Sequence, residues 1–188
     1  MNSLLSNLVD QHDLWQRTLG KEGMQLILKE HDLSGSDLSN RDLANSAFLD
    51  VRLDNAELHN VDLAYSNLGY SSFINAKLRD VNLVKAEADH VDFRDATIEN
   101  MDAFRATFFG ASFRNAILTG VNFSRSSLAG VDLTGATIRG CRFHKADLTN
   151  IKGLESLILD WIDVGEDSCP EKLFGKHGIE WLQAESRK

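Results

Sequence analysis

The residues able to carry acid–base, nucleophilic or metal chemistry are few and scattered. They are six histidines (His12, His31, His59, His90, His144 and His177), two cysteines (Cys141 and Cys169), and the carboxylates Asp160, Asp163, Glu166 and Asp167. A nucleophile needs a base within hydrogen-bond reach. Cys169 falls in a turn with no histidine nearby, and Cys141 occupies a small apolar position of the pattern described below, where a thiol acts as a small hydrophobe. The four acids lack the alternation of a calcium-binding loop and read as a solvated turn. Neither a phosphate-binding loop nor a dinucleotide fingerprint occurs. No catalytic, cofactor-binding or metal-binding residue is assigned, no cofactor is expected, and the chain does not read as an enzyme.

Bulk properties narrow the class further. The 188 residues are 26% charged and 43% apolar, with a single proline, which fits one globular domain with small caps. The formal net charge of −8 makes direct nucleic-acid binding a poor expectation. No apolar run is long enough to span a bilayer. Met1 to Asp10 carries no positive charge and ends in an acid, unlike a secretory leader. A cytoplasmic location is therefore expected, with no disulfide framework.

Groups without local partners must be positioned by a longer pattern, and one is present. Every fifth residue from Leu33 to Leu148 gives 24 positions, which hold 13 Leu, 7 Phe, 2 Ile and 2 Ala (Ala88 and Ala103). Two residues earlier, nine are Ala, six Val and five Ser, the others being His31, Arg41, Met101 and Cys141. One residue earlier, 11 of 24 are Asp or Asn; two residues later, 17 of 24 are Gly, Asn or Asp. The last group tolerates the backbone angles of tight turns. A helix would spread every fifth residue around its surface, and a strand would alternate them between faces. A chain that turns a corner every five residues instead sends the large residue and the small one before it inward.

A second period of 20 shows in the small inward column. Positions 56, 76, 96, 116 and 136 are all Ala, while positions 61, 81, 101, 121 and 141 are Val, Val, Met, Val and Cys. Residues 20 apart therefore stack, four pentapeptides make one square coil, and residues 31–150 make six coils about 4.8 Å apart.

The pattern resembles the pentapeptide repeat family over residues 31–150, with segments such as Val131-Asp-Leu-Thr-Gly135 and Ala146-Asp-Leu-Thr-Asn150 close to its consensus. The resemblance implies an all-β solenoid, a right-handed quadrilateral parallel β-helix. It is nearly silent on function, because one fold serves many roles.

Three units are expected. Residues 1–30 form an amino-terminal helical cap and a first partial coil. Leu5, Leu8, His12, Trp15 and Leu19 share one helical face, and Gly20 ends the helix. Residues 31–150 form the repeat β-helix. Residues 151–188 form a carboxy-terminal cap containing α-helix. Ser168-Cys169-Pro170-Glu171 reads as the start of a helix to about Phe174, broken by Gly175 and Gly178. Ile179, Trp181 and Leu182 then form an apolar patch that packs on the last coil or makes a homodimer contact.

The outward columns carry the candidate binding residues. Lys85, Arg105, Arg125 and Lys145 recur every 20 residues and so stack as a ladder of cations along one edge. Phe104, Phe109, Tyr65 and Tyr70 are placed nearby. Stacked like charges need relief from neighbouring acids or from an anionic partner. Two readings stay open: a protein or nucleic-acid contact surface, or a stripe neutralised by Asp42, Asp62 and Asp102 with the aromatic rings folded inward. Ala88 and Ala103 thin the core unless Phe104, Phe108 or Phe109 fills the space.

The functional expectation is a non-enzymatic scaffold whose rigid faces bind another protein, as yet unidentified. The alternative, implied by the resemblance, is a DNA mimic that binds and protects DNA gyrase or topoisomerase IV. That role needs acid spread along the rod. Residues 31–90 carry 10 acids and 5 bases, but residues 91–150 carry 6 acids and 7 bases.

Overall fold

The computed structural model describes residues 3–166 and 168–188; Asp167 of the acidic cluster lies outside them. An amino-terminal helix, α1 (Ser3–Arg17), precedes a parallel β-solenoid of about seven turns, closed by a carboxy-terminal helix, α2 (Gly175–Glu185). Pairing starts with β1 (Ile27–Lys29) on β2 (Ala47–Leu49), a register of 20. It continues on the second face as a six-stranded sheet of β3 (Glu57–His59), β4 (Lys77–Arg79), β5 (Thr97–Glu99), β6 (Ile117–Thr119), β7 (Thr137–Arg139) and β9 (Ile158–Leu159). Elsewhere the coils are joined by single parallel bridges such as Asp62↔Asn82 and Asp102↔Asn122. The faces are numbered by their first central residues: Leu33, Leu38, Leu43 and Phe48.

The five-residue frame accounts for the packing. All 24 central residues from Leu33 to Leu148 are buried, as is every small inward residue from Ser46 to Cys141. The corners after the first and third faces, and most after the fourth, close with a backbone bond from the next small residue to the central carbonyl, as from Ala56 N to Leu53 O (3.1 Å). Asp or Asn before the centre accepts from the amide two residues on, as Asp62 Oδ1 does from Ala64 N (2.8 Å). That bond explains the acid-and-amide preference there.

The phenylalanines stack through the core. Phe73, Phe93 and Phe113 form a column with ring centroids 5.1 and 4.9 Å apart, and Phe123 stacks on Phe143 at 5.5 Å. Phe108 meets Phe123 edge-on at 5.6 Å. Ala88 and Ala103 lie one coil before Phe108 and Phe123, and their small side chains leave room for this aromatic cluster. Phe104 and Phe109 take no part in it. Each buried Leu or Phe contributes about 1.5–3 kcal/mol, much of it offset by backbone ordering.

Both ends are closed by specific contacts. His12 on α1 is fully buried. Its Nδ1 accepts from Leu26 N (3.0 Å), which leaves Nε2 to donate to Ala44 O (3.0 Å). This is a neutral imidazole, and desolvation holds its pKa below the usual histidine value. His31, at an inward position of the frame, is instead exposed. It stands where the chain turns from β1 into the first face, and α1 makes its bonds at Leu26 and Ala44, away from it.

At the other end, Gly153 takes a central position at φ +79, where a Cβ would overlap Thr134 N at 2.2 Å. The register there lengthens to 21, Thr137 pairing with Ile158. The segment around Ser168–Glu171 does not start a helix. The chain returns as β11 (Lys172–Phe174), antiparallel to β10 (Trp161–Asp163), which itself pairs in parallel with β8 (Cys141–Arg142). The helix runs from Gly175, not up to it. Gly178 lies within α2, where a Cβ would meet Leu159 Cδ2 at 2.9 Å, so the glycine permits close seating on the coil rather than breaking the helix. Asp163 is buried, not solvated; its Oδ1 accepts from Gly165 N (3.1 Å) and Glu171 N (3.0 Å), fixing this return.

Candidate functional site

The corners are built from residues in the left-handed region, and they fall into two kinds. The corner after the first face is occupied by Gly35, Asn55, Asn75, Asp95, Asn115 and Gly135; the one after the second by Asn40, Asn60, Asp80, Asn100, Gly120 and Gly140. Side-chain amides bond up these columns: Asn60 Nδ2 to Asn40, Asn100 Nδ2 to Asp80 and Asn115 Nδ2 to Asp95, each at 3.1 Å. The remaining two corners hold all seven exceptions. After the third face stand Tyr65 (φ 58), Lys85 (φ 57), Arg105 (φ 60), Arg125 (φ 58) and Lys145 (φ 53). After the fourth stand Tyr70 (φ 62) and His90 (φ 57). A side chain other than Gly, Asn or Asp costs roughly 1 kcal/mol in this region. Strain of this kind collects where side-chain identity matters more than stability.

The third corner is a continuous basic and aromatic edge. Tyr65 is 55% exposed. Lys85 Nζ lies 5.0 Å from its ring centroid and donates to its hydroxyl at 3.2 Å. The Arg105 guanidinium lies 5.3 Å from the Phe104 ring, which is half-buried. Lys145 reaches Glu166 at 3.8 Å across exposed surface. Among the described residues, no carboxylate comes within ion-pair distance of Lys85, Arg105 or Arg125. Asp42, Asp62 and Asp102 accept from Ala44, Ala64 and Phe104 amides, and the last two also from Asn82 and Asn122 side chains. They brace their own turns and form no ion pair with the ladder. Behind Arg125, the buried Ser124 hydroxyl has no hydrogen-bond partner.

The fourth face adjoins this edge. Phe109 is 52% exposed on it, and Tyr70 is 68% exposed at its far corner. His90 links them, stacked on Tyr70 at 4.9 Å and edge-on to Phe109 at 5.4 Å. Its imidazole lies over Gly110, where a Cβ would approach Nδ1 to 2.8 Å. Charge is divided between the faces. On the third face and its corner, Arg142 and Lys145 are met by Asp163 (3.3 Å) and Glu166 (3.8 Å), while Lys85, Arg105 and Arg125 stand apart from Asp42, Asp62 and Asp102. On the fourth, Asp50, Glu87, Asp89 and Asp147 stand with no Lys or Arg beyond Lys29 of β1.

The structure thus brings Lys85, Arg105, Arg125, Lys145, Phe104 and Tyr65 onto one edge, with Phe109 and Tyr70 across the next face. His90 was missed by sequence reasoning. Its departure from Asn, Asp or Gly at a corner, 20 residues after Tyr70, is the signal that could have found it. The carboxy-terminal patch is used within the chain. Leu182 is fully buried and so unavailable as a dimer contact, while Ile179 and Trp181 are half-buried against the same core. Burial pushes the Cys141 thiol up to about 12, which suits a packing role. Among the described residues no group of His, Cys, Asp or Glu could hold a metal ion, and no helix is long and apolar enough to cross a membrane.

A stacked four-sided solenoid with a five-residue frame defines a class, and comparison with known families agrees. The family model for pentapeptide repeats matches in eight copies, over residues 32–68, 56–95, 106–144 and 116–152. The chain belongs to the pentapeptide repeat family. Among solved structures it is similar to the pentapeptide repeat protein Rfr23 from the cyanobacterium Cyanothece 51142 (19% identity, 83% of this chain and 99% of that one, TM-score 0.42). It is also similar to a pentapeptide repeat protein of the Arabidopsis thaliana thylakoid lumen (22% identity, 59% and 70%, TM-score 0.42). A third is QnrB1, a plasmid-mediated fluoroquinolone resistance protein (20% identity, 69% and 79%, TM-score 0.38). No curated protein matches the sequence.

Proposed function

We propose that the chain is a non-enzymatic scaffold that presents the third corner and the adjoining fourth face to a protein partner. One observation carries this reading: within the 24 repeats, the seven bulky residues held in left-handed backbone are confined to two of the four corners. Asn, Asp or Gly would suit the left-handed backbone of all four corners. The rigid, evenly spaced edge fits recognition by a repeat protein. Residues 91–150 hold 6 acids and 7 bases, which opposes the gyrase-protecting DNA mimic that needs acid along the rod, and no relief of fluoroquinolone inhibition of gyrase supercoiling is expected. The test is affinity capture from host-cell lysate with wild type and with Arg105→Glu/Arg125→Glu. Loss of the captured partner in the variant is the expected result. Capture unchanged by charge reversal would remove the surface from consideration.

A further inference from the structure

The geometry of the edge restricts what can lie on it. Four cations, one per coil, span about 14 Å along the axis. Carboxylates in an α-helix fall on one stripe at every third or fourth residue, so four of them span about 15 Å. Four alternate side chains of an extended strand span about 20 Å and lose step with the ladder. Beside Arg105 and Arg125, the fourth face offers Thr107, Phe109, Ser127 and Ala129, an uncharged strip with Phe109 projecting, bounded by Glu87 and Asp89 on one side and Asp147 on the other. A cationic edge next to an uncharged strip from which Phe109 projects complements an amphipathic helix with acids on one side of its apolar stripe. Arg105 and Arg125 have no carboxylate of this chain within ion-pair distance among the described residues, and the buried Ser124 hydroxyl beside them is unsatisfied.

We infer that the occupant of this edge is an acidic amphipathic α-helix of a partner protein, lying along the solenoid axis with its carboxylates on Lys85, Arg105, Arg125 and Lys145. This rests on the partner surface proposed above and adds the chemistry of the partner.

The probe is a fluorescein-labelled, helix-stapled peptide of about 16 residues. It carries Glu at successive three- and four-residue spacings and Leu on the adjoining stripe. A second peptide has Gln in place of Glu. Both are titrated into the full chain by fluorescence anisotropy, with a duplex DNA oligonucleotide as competitor. Saturable binding of the Glu peptide is expected, with no binding of the Gln peptide and weakening as salt rises. Arg105→Asn/Arg125→Asn should weaken it about tenfold or more. Asn suits both backbone positions, so this variant keeps the fold, and its melting curve verifies that. Absence of binding, equal binding of the Gln peptide, insensitivity to the double variant, or displacement by DNA at equal concentration would each overturn the inference. The lysate capture separates the two claims. A partner lost on charge reversal alongside a silent peptide leaves the surface standing and rejects the helix. Unchanged capture rejects both.

Discussion

Two corners of the solenoid are quiet and two are not. Along the first and second, Asn, Asp and Gly satisfy the left-handed backbone, and amide ladders such as Asn100 to Asp80 tie one coil to the next. Along the third and fourth, Arg105, Arg125 and His90 hold the same backbone angles without that relief. All four corners hold the same left-handed backbone, so that conformation alone does not account for the difference. The contrast teaches that a repeat protein can carry functional information as local departures from its own consensus.

The largest effect expected concerns the core that both kinds of corner share. Phe113→Ala removes the top of the Phe73–Phe93–Phe113 stack and should cost about 3–5 kcal/mol in chemical denaturation. A loss confined to one pair of corners, seen by hydrogen exchange, would break the assumption of a common core. A smaller effect tests the corners directly. Asn100→Arg, which places a bulky residue in a quiet corner and removes the bond to Asp80, should destabilise by about 1–2 kcal/mol. A neutral result would mean that the corners do not discriminate.

Acidification probes the amino-terminal cap. Neutral His12 has a depressed pKa, so the unfolded chain binds a proton that the native state refuses. Its contribution is complete above about pH 6.5 and is lost as pH falls through the native value. Melting temperature should drop between pH 7.5 and 5.5 in wild type and less in His12→Gln, which lacks the titrating group. An equal drop in both would exclude His12 as the cause. The smallest effect belongs to the rim: removing the exposed Lys145–Glu166 pair by Glu166→Gln should leave the melting temperature within error.

Much of this fold is legible in the sequence because the five-residue period encodes a single physical demand, repeated. Leu33 to Leu148 are buried in the order the frame assigns, since each large residue has the same space to fill. The ends are harder, because caps answer to one surface and do not repeat. Ser168–Glu171 has the local chemistry of a helix start, yet Asp163 holds that segment as a return to β10. Gly178 reads as a helix breaker from sequence, but its missing side chain is what lets α2 sit against Leu159. His31 keeps the frame and still faces water, because no earlier coil stacks on the turn that leads into the first face. The cationic ladder was visible from its 20-residue spacing. The absence of ion pairs on Arg105 and Arg125 was not, since it depends on Asp62 and Asp102 turning to their own amides.

The most direct test measures two quantities on one variant, Arg105→Asn/Arg125→Asn. Relieving left-handed strain should raise the melting temperature while partner capture is lost, the signature of side chains kept for binding at the expense of stability. A lowered melting temperature, or capture undiminished, would contradict the account.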